Sequence, residues 1–142
     1  MPSFLSNLLR ASSESDWSLL NARTGGTVAE HLVPAFDSKS RRIGLLKHES
    51  LPEDEALVLA PASAIHTFFM KFEIDVAFLA KDGTVLKIRP HMGPGRMAAR
   101  MGAFAVVELA GGILERARVA VGDRLEVAPS DPARNANDST KL

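Results

Sequence analysis

Two apolar runs separated by an Asp-Gly pair constrain this chain more than any other feature. Residues 72–79 and 85–89 flank Lys81-Asp82-Gly83-Thr84, and Asp-Gly readily takes the positive φ angles of a two-residue hairpin turn. That turn predicts a register with Leu79 facing Leu86, Ala77 facing Ile88, and Asp75 ending the same face opposite Pro90. Ile74, Val76 and Phe78 then share the other face with Val85, Lys87 and Arg89. Asp75 therefore belongs to an apolar face, near its rim. A slip of one residue would move it to the opposite side.

The segment entering this hairpin, residues 65–79, carries His66, Thr67 and Met70 just ahead of the strand. Before it, Ala56-Leu57-Val58-Leu59-Ala60 reads as a short apolar strand closed by Pro61. After it, residues 90–102 hold Pro and Gly where no regular element wants them. They predict a long loop with one helical turn near Arg96–Met101. Residues 103–110 read as a core strand broken by Gly111-Gly112, residues 113–118 as a short helix, and residues 124–128 as a final alternating strand. Upstream, Gly25-Gly26 predicts a hairpin over residues 17–36, with Ala22 opposite Ala29 and Leu20 opposite His31. His31 then falls on a small apolar face as a hydrogen-bonded structural residue. Asp37-Ser38-Lys39-Ser40 is a helix start leading into Arg41-Arg42-Ile43-Gly44.

The fold expected is α+β and mainly β: a single compact barrel- or sandwich-like domain of about six strands with two or three short helices. Residues 1–16 form an N-terminal arm or short helix, 17–128 one globular domain, and 129–142 a disordered tail.

At 142 residues the chain can bury a sizeable core as one domain. Its 17 basic and 17 acidic side chains cancel, so no global field draws it to nucleic acid or to an anionic membrane. The absence of Cys excludes a disulfide framework, a thiolate zinc site and a Cys nucleophile. The N-terminal residues lack the pattern of a signal peptide, and no apolar run approaches the roughly 20 residues of a membrane span. A soluble, cytoplasmic protein is expected, monomeric or a weak homodimer.

From residue 41 to 127 the chain resembles the family known only as domain of unknown function 192. The matching pieces are Arg42-Ile43-Gly44-Leu45, the Leu57-Val58-Leu59 strand, Ile65-His66-Thr67 with Met70, and Ile74-Asp75-Val76. Further on they are Asp82-Gly83-Thr84-Val85, Val107-Glu108-Leu109-Ala110-Gly111 and Val121-Gly122-Asp123-Arg124-Leu125. The set covers about three fifths of the chain in family order. Glu55-Ala56 stands where the family often has a small-residue turn, and Ala62 where many members have Cys. Phe68-Phe69-Met70 replaces an aromatic-Trp-Met form. The family carries no established activity, so the resemblance implies a fold and a site region, not a reaction.

The candidate pocket gathers Arg42, His66, Thr67, Met70, Asp75, His91, Arg96 and Glu108. His66 could act there as a proton carrier, and Asp75 could orient it or bind a substrate hydroxyl. Asp75 could equally accept hydrogen bonds from backbone N–H groups or Arg42 and fix the chain. No Ser sits in a strand-turn-helix elbow, so a serine hydrolase is unsupported. Arg89, His91, Arg96 and Arg100 make residues 87–100 locally basic with no acid among them, a setting for an anion. His66, Met70, His91, Met92, Met97 and Met101 raise a thioether–imidazole copper site, although Met also fills irregular cores. The expected function is binding of a small polar molecule or a partner protein beside the His66–Asp75 segment, with no cofactor, metal, nucleic acid or membrane. A small hydrolase or lyase using His66 with Asp75 or Glu108 is the alternative, and a Met/His metal-binding accessory protein the second.

Overall fold

The computed structural model describes residues 4–11, 16–35 and 50–130. In order these form α1 (Phe4–Ala11), β1 (Trp17–Asn21), β2 (Thr27–Ala29), β3 (His31–Ala35), β4 (Glu55–Leu59), β5 (Ala64–His66) and β6 (Ile74–Leu79). Then follow β7 (Val85–Met92), β8 (Met97–Ala99), β9 (Ala105–Ala110), α2 (Ile113–Arg116) and β10 (Leu125–Pro129). A five-stranded sheet runs β3-β4-β9-β6-β7, a three-stranded sheet runs β10-β1-β2, and β5 and β8 make a two-stranded ribbon. The fold is mainly β, but with about ten strands among the described residues rather than six, and none of its sheets closes into a barrel.

Burial explains the layering. Every residue of β6 and of β9 is buried, so the five-stranded sheet is covered on both faces at its centre. On one face Ala77, Leu79, Val107 and Leu109 pack with Trp17, Leu19, Leu125 and Val127 of the smaller sheet. On the other, Ile74, Val76, Phe78 and Val106 pack with Ile65 and Ala98 of the ribbon, together with Met70 and Met92. Each fully buried Leu or Phe in these layers contributes about 2 kcal/mol of transfer free energy. Helix α1 buries Phe4, Leu8 and Ala11 in the first cluster, and its Asn7 side chain donates to the Val127 carbonyl at 3.0 Å. The core thus begins ahead of residue 17.

The central hairpin is present, with Ala77 opposite Ile88 as expected. Leu79, however, pairs with Val85 and not Leu86, because a register shift falls between Phe78 and Leu79. A second irregularity between Ile74 and Val76 sets Ile74 opposite Met92 and Val76 opposite Arg89, so two residues of β7, Pro90 and His91, face the single residue Asp75 of β6. Gly83 is needed twice over: its φ is +92°, and a Cβ there would run into the Leu125 carbonyl. That approach closes the corner where β7 meets β10, held by Leu125 N–H on Gly83 O at 2.9 Å.

The stretch expected as a loop over residues 90–102 carries strand at both 90–92 and 97–99, and β8 stands where a helical turn was expected near Arg96–Met101. β7 continues through Pro90 to Met92, which an edge strand permits because the missing Pro N–H faces outward. β8 then pairs antiparallel with β5, His66 opposite Met97 and Ala64 opposite Ala99. The first hairpin is also re-registered. Leu19 pairs with Ala29 and Leu20 with Thr27 around a longer connection, while β3 leaves for the other sheet and runs parallel to β4. His31 is consequently off any apolar face: its side chain is 54% exposed, with Nε2 3.6 Å from Asp54. The helix expected after residue 37, Arg42 within it, and the tail beyond residue 130 lie outside the described residues.

Asp123 fastens the smaller sheet to the turn before β10. It accepts from Asn21 Nδ2 at 2.9 Å, Arg23 Nε at 2.6 Å and the Ala120 N–H at 2.8 Å, with its own side chain only 4% exposed. The Arg23 hydrogen bond, more than any other contact, holds its carboxyl well below the usual carboxylate range. A depressed folded pKa stabilises the fold above the unfolded value near 4 and is lost as pH falls through the folded value. Asp123→Ala is therefore expected to cost about 3 kcal/mol in urea unfolding at neutral pH. Between about pH 5 and about pH 2 the wild type should lose stability more steeply than Asp123→Asn. Parallel pH profiles for the two proteins would disprove the assignment.

Candidate functional site

Asp75 is fully buried on the same face as Ala77 and Leu79. A carboxylate taken out of water needs hydrogen-bond donors, and each oxygen has a backbone one. Oδ1 accepts the His91 N–H at 2.8 Å and Oδ2 the Leu114 N–H at 2.9 Å. Leu114 lies in the first turn of α2, whose N-cap is Gly112 with no side-chain cap. Asp75 thus supplies from across the fold the acceptor that a capping Asp or Ser would normally provide. The other N–H belongs to His91, at φ +49° in the irregular part of β7.

His91 continues the network outward. Its Nδ1 lies 2.7 Å from Glu73 Oε1, both side chains about half exposed, and that contact raises the imidazole pKa. Gly111 makes room for the pair, since a Cβ there would sit 2.9 Å from Glu73 Oε1. Asp75, Glu73, His91 and the Gly111-Gly112 corner form one hub joining β6, β7 and α2.

His66 is elsewhere. β5 and β8 lie over the opposite face of the sheet, with Ile65 and Ala98 pointing in and Ala64, His66, Met97 and Ala99 pointing out. His66 Nδ1 accepts the Phe68 N–H at 3.3 Å, and its ring stacks on Phe68 with centroids 4.9 Å apart. Asp75 is on the far face of the sheet and cannot orient that imidazole. Glu108 does face the ribbon side, opposite Leu57 and Val76, but it is fully buried beneath the layer from which His66 points away. The proposed His–carboxylate pairs are not assembled.

Thr67 is buried and acts as a clasp. Its Oγ1 donates to Gly93 O at 2.6 Å and accepts the Arg96 N–H at 2.9 Å, which fixes the connection between β7 and β8. Met70 is inside the second core cluster, as is Met92, whereas Met97 and Met101 are 68% and 89% exposed. The thioethers and imidazoles read as a copper set are thus split between core and surface. Of the eight candidate residues, Arg42 lies outside the described residues; His66 is in the ribbon and Arg96 directly precedes β8, with Thr67 behind them. Asp75 and His91 belong to the hub, Met70 and Glu108 to the interior.

Two features escaped the sequence reading. Glu30, His31 and Asp54 bring one ligand atom each within 4.8 Å of one another on the surface and could hold a cation. Residues β2, Glu53, Asp54 and α2 line an open cleft of about 300 Å³ beside them. The other is a concentration of exposed apolar side chains at the ribbon: Phe68, Phe69, Met97 and Met101, four of the six large apolar residues exposed among those described. Phe69 is 86% exposed with φ +68°, in a turn closed by the Met70 N–H on Thr67 O at 3.2 Å. That third turn position ordinarily goes to Gly or Asn, and nothing in the local sequence signals it.

The fold defines a layered, mainly β domain with a buried carboxylate hub on one side and an exposed aromatic and thioether ribbon on the other. The chain belongs to the DUF192 family, described as Uncharacterized ACR, COG1430, whose profile matches residues 21–127. Two solved structures share the fold. One is a Sinorhizobium meliloti 1021 protein put forward as a transcription regulator, with TM-score 0.66 and 24% identity over 80% of this chain and 92% of the other. The second is a protein of unknown function from Novosphingobium aromaticivorans DSM 12444, with TM-score 0.62 and 19% identity over 78% and 83%. No curated protein matches the chain.

Two measurements test the hub. Asp75→Asn turns an amide donor toward a backbone N–H and should cost roughly 2–3 kcal/mol, with faster hydrogen exchange at the His91 and Leu114 amides. An unchanged unfolding midpoint would show that Asp75 does not carry the corner. By NMR, His91 should titrate above the ordinary imidazole range, chiefly through its Glu73 contact, and move down in Glu73→Gln. A raised folded pKa means that the pair stabilises below the unfolded value, and that this contribution disappears as pH rises through the folded one.

Proposed function

We propose that this chain is a non-catalytic binding module that engages a partner protein on the outer face of the β5–β8 ribbon, around His66. The observation that carries this reading is Phe69, a bulky side chain 86% exposed on a left-handed backbone. Neither property helps the fold. Exposure forfeits the transfer free energy of an aromatic ring, and a non-Gly residue at positive φ costs of order 1 kcal/mol. Features of this kind cluster where a surface does work for something other than stability.

The neighbours support it. The stacked His66–Phe68 pair and the exposed Met97 and Met101 extend the apolar area along the ribbon. Thioether side chains adapt their shape to a partner, and aromatic and Met side chains are enriched at the centres of interfaces. A small polar ligand is the weaker half of the reading, because small-molecule sites are concave with converging polar groups. Here Asp75, Thr67 and Glu108 are turned inward.

A photo-crosslinking side chain placed at Phe69, with Val121 as a second exposed apolar position, tests the reading in cells that express the chain. A discrete product is expected at 69 and absent at 121, competed by wild type but not by Phe68→Ser/Phe69→Ser. Equal products at both positions, or none at 69, would defeat it. Independently, Phe69→Gly should raise stability by about 1 kcal/mol while abolishing the crosslink seen from a probe at Met97.

A further inference from the structure

We infer that the partner presents an acidic peptide segment to the ribbon, with one apolar side chain seated between carboxylates; this rests on the docking reading above. The charge map carries the inference. Between Glu55 and Glu108 the acids are Glu73, Asp75 and Asp82, and none serves the ribbon. Glu73 is held by His91, Asp75 by two backbone N–H groups, and Asp82 accepts the Thr84 N–H in the far hairpin turn. Over the same span lie Lys71, Lys81, Lys87, Arg89, Arg96 and Arg100.

Some of these cations are already used. Lys81 sits over Phe104, Lys87 donates to Ala99 O at 3.0 Å, and Arg100 bonds the Met101 carbonyl. Lys71, Arg89 and Arg96 have no ion-pair partner among the described residues. Their placement is consistent. Arg96 precedes β8, Lys71 follows the Phe69 turn, and Arg89 lies two residues along β7 on the side from which Lys87 reaches the ribbon. The described ion pairs that compensate other cations lie away from this face, at Asp123, Glu53 and Glu126.

Between the cations the outer face is shaped for an apolar anchor. Ala64 and Ala99 stand directly opposite each other, leaving a floor of two methyl groups. His66 and Met97 rise on one side of it, and Met101 lies beyond the other. An extended segment with Asp or Glu flanking a Leu or Phe would place its apolar side chain on that floor and its carboxylates at the rim. Arg–carboxylate pairs have the bidentate geometry to fix its register. An anionic lipid surface or a nucleic acid fits less well. The chain has a formal net charge of zero, and each basic residue near a lipid surface contributes only about 1 kcal/mol. Three uncommitted cations suit a short peptide better than a polyanion.

The test uses the full chain and fluorescence polarisation with three panels of short synthetic peptides. Each peptide carries one Leu or Phe in an acidic, a neutral or a basic background. Phosphatidylglycerol vesicles and oligo-dT are measured alongside. Acidic peptides should bind and basic ones should not. Arg89→Glu/Arg96→Glu should weaken acidic peptides at least about tenfold, whereas Arg118→Glu should not, with both variants melting as wild type does. Arg96→Glu alone serves if the double variant unfolds early. Equal binding of acidic and neutral peptides, lost in Phe68→Ser/Phe69→Ser, overturns the acidic preference and leaves the docking reading intact. Vesicles or oligo-dT bound in preference to every acidic peptide overturns the inference in favour of that polyanion. No ribbon-dependent binding of any probe removes both.

Discussion

A carboxylate inside a strand buried on both faces leaves the fold few options, and Asp75 shows the one taken. Each apolar neighbour in β6 contributes about 2 kcal/mol on burial, whereas an uncompensated buried charge would cost more than any one of them supplies. The two backbone N–H groups that meet it come from β7 and α2. Satisfying Asp75 therefore dictates where β7 breaks register and where α2 begins. Gly111, Gly112 and Glu73 follow from that geometry: one glycine admits the Glu73 carboxylate, and the other takes φ +94° at the start of α2.

The same constraint separates architecture from surface chemistry. Strand alternation sends Asp75 toward one core and Val76, Phe78 and Glu108 toward the other. His66 is carried on a ribbon beyond that second core. A His and an Asp nine residues apart in sequence thus end on opposite sides of a sheet. The three acids between Glu55 and Glu108 are taken up by the hub and a turn, and basic side chains remain along the ribbon. A chain neutral overall acquires a local field by this placement, without the excess of Lys and Arg that composition would reveal.

Strong local signals made much of the fold legible. Asp82-Gly83 fixed the central hairpin, the Gly-Gly break ended β9, and residues 113–116 formed the expected helix. Asp75 was legible as a member of an apolar face because Ala77 and Ile88 do pair. Register at the two ends was not, since bulges depend on what the strand must satisfy in three dimensions and leave no local signature. Residues 90–102 misled for a related reason. Pro and Gly argue against a central strand, but β7 is an edge strand and β8 one half of a short ribbon, where they are tolerated. His31 leaves the apolar face because the connection around Gly25-Gly26 is longer than two residues and shifts the facing pairs. The described members of the candidate pocket divide between the two faces of the sheet, because sequence proximity cannot say which face a side chain joins.

Phe69 joins the buried core to the exposed ribbon. The turn it occupies is held on both sides: Thr67 is bonded to Gly93, Gly95 and Arg96, and Met70 is anchored in the second core. The backbone at Phe69 is therefore over-determined by its surroundings, which is the condition under which a strained conformation persists. A ring held out in this way loses little further freedom on contact with another surface. That reduces the entropic cost of association, which otherwise offsets much of what an exposed aromatic contributes. A strained, exposed ring, on a face where Arg89 and Arg96 have no ion-pair partner among the described residues, is a poor solution for an isolated domain. It is a sound one for a surface that meets a partner.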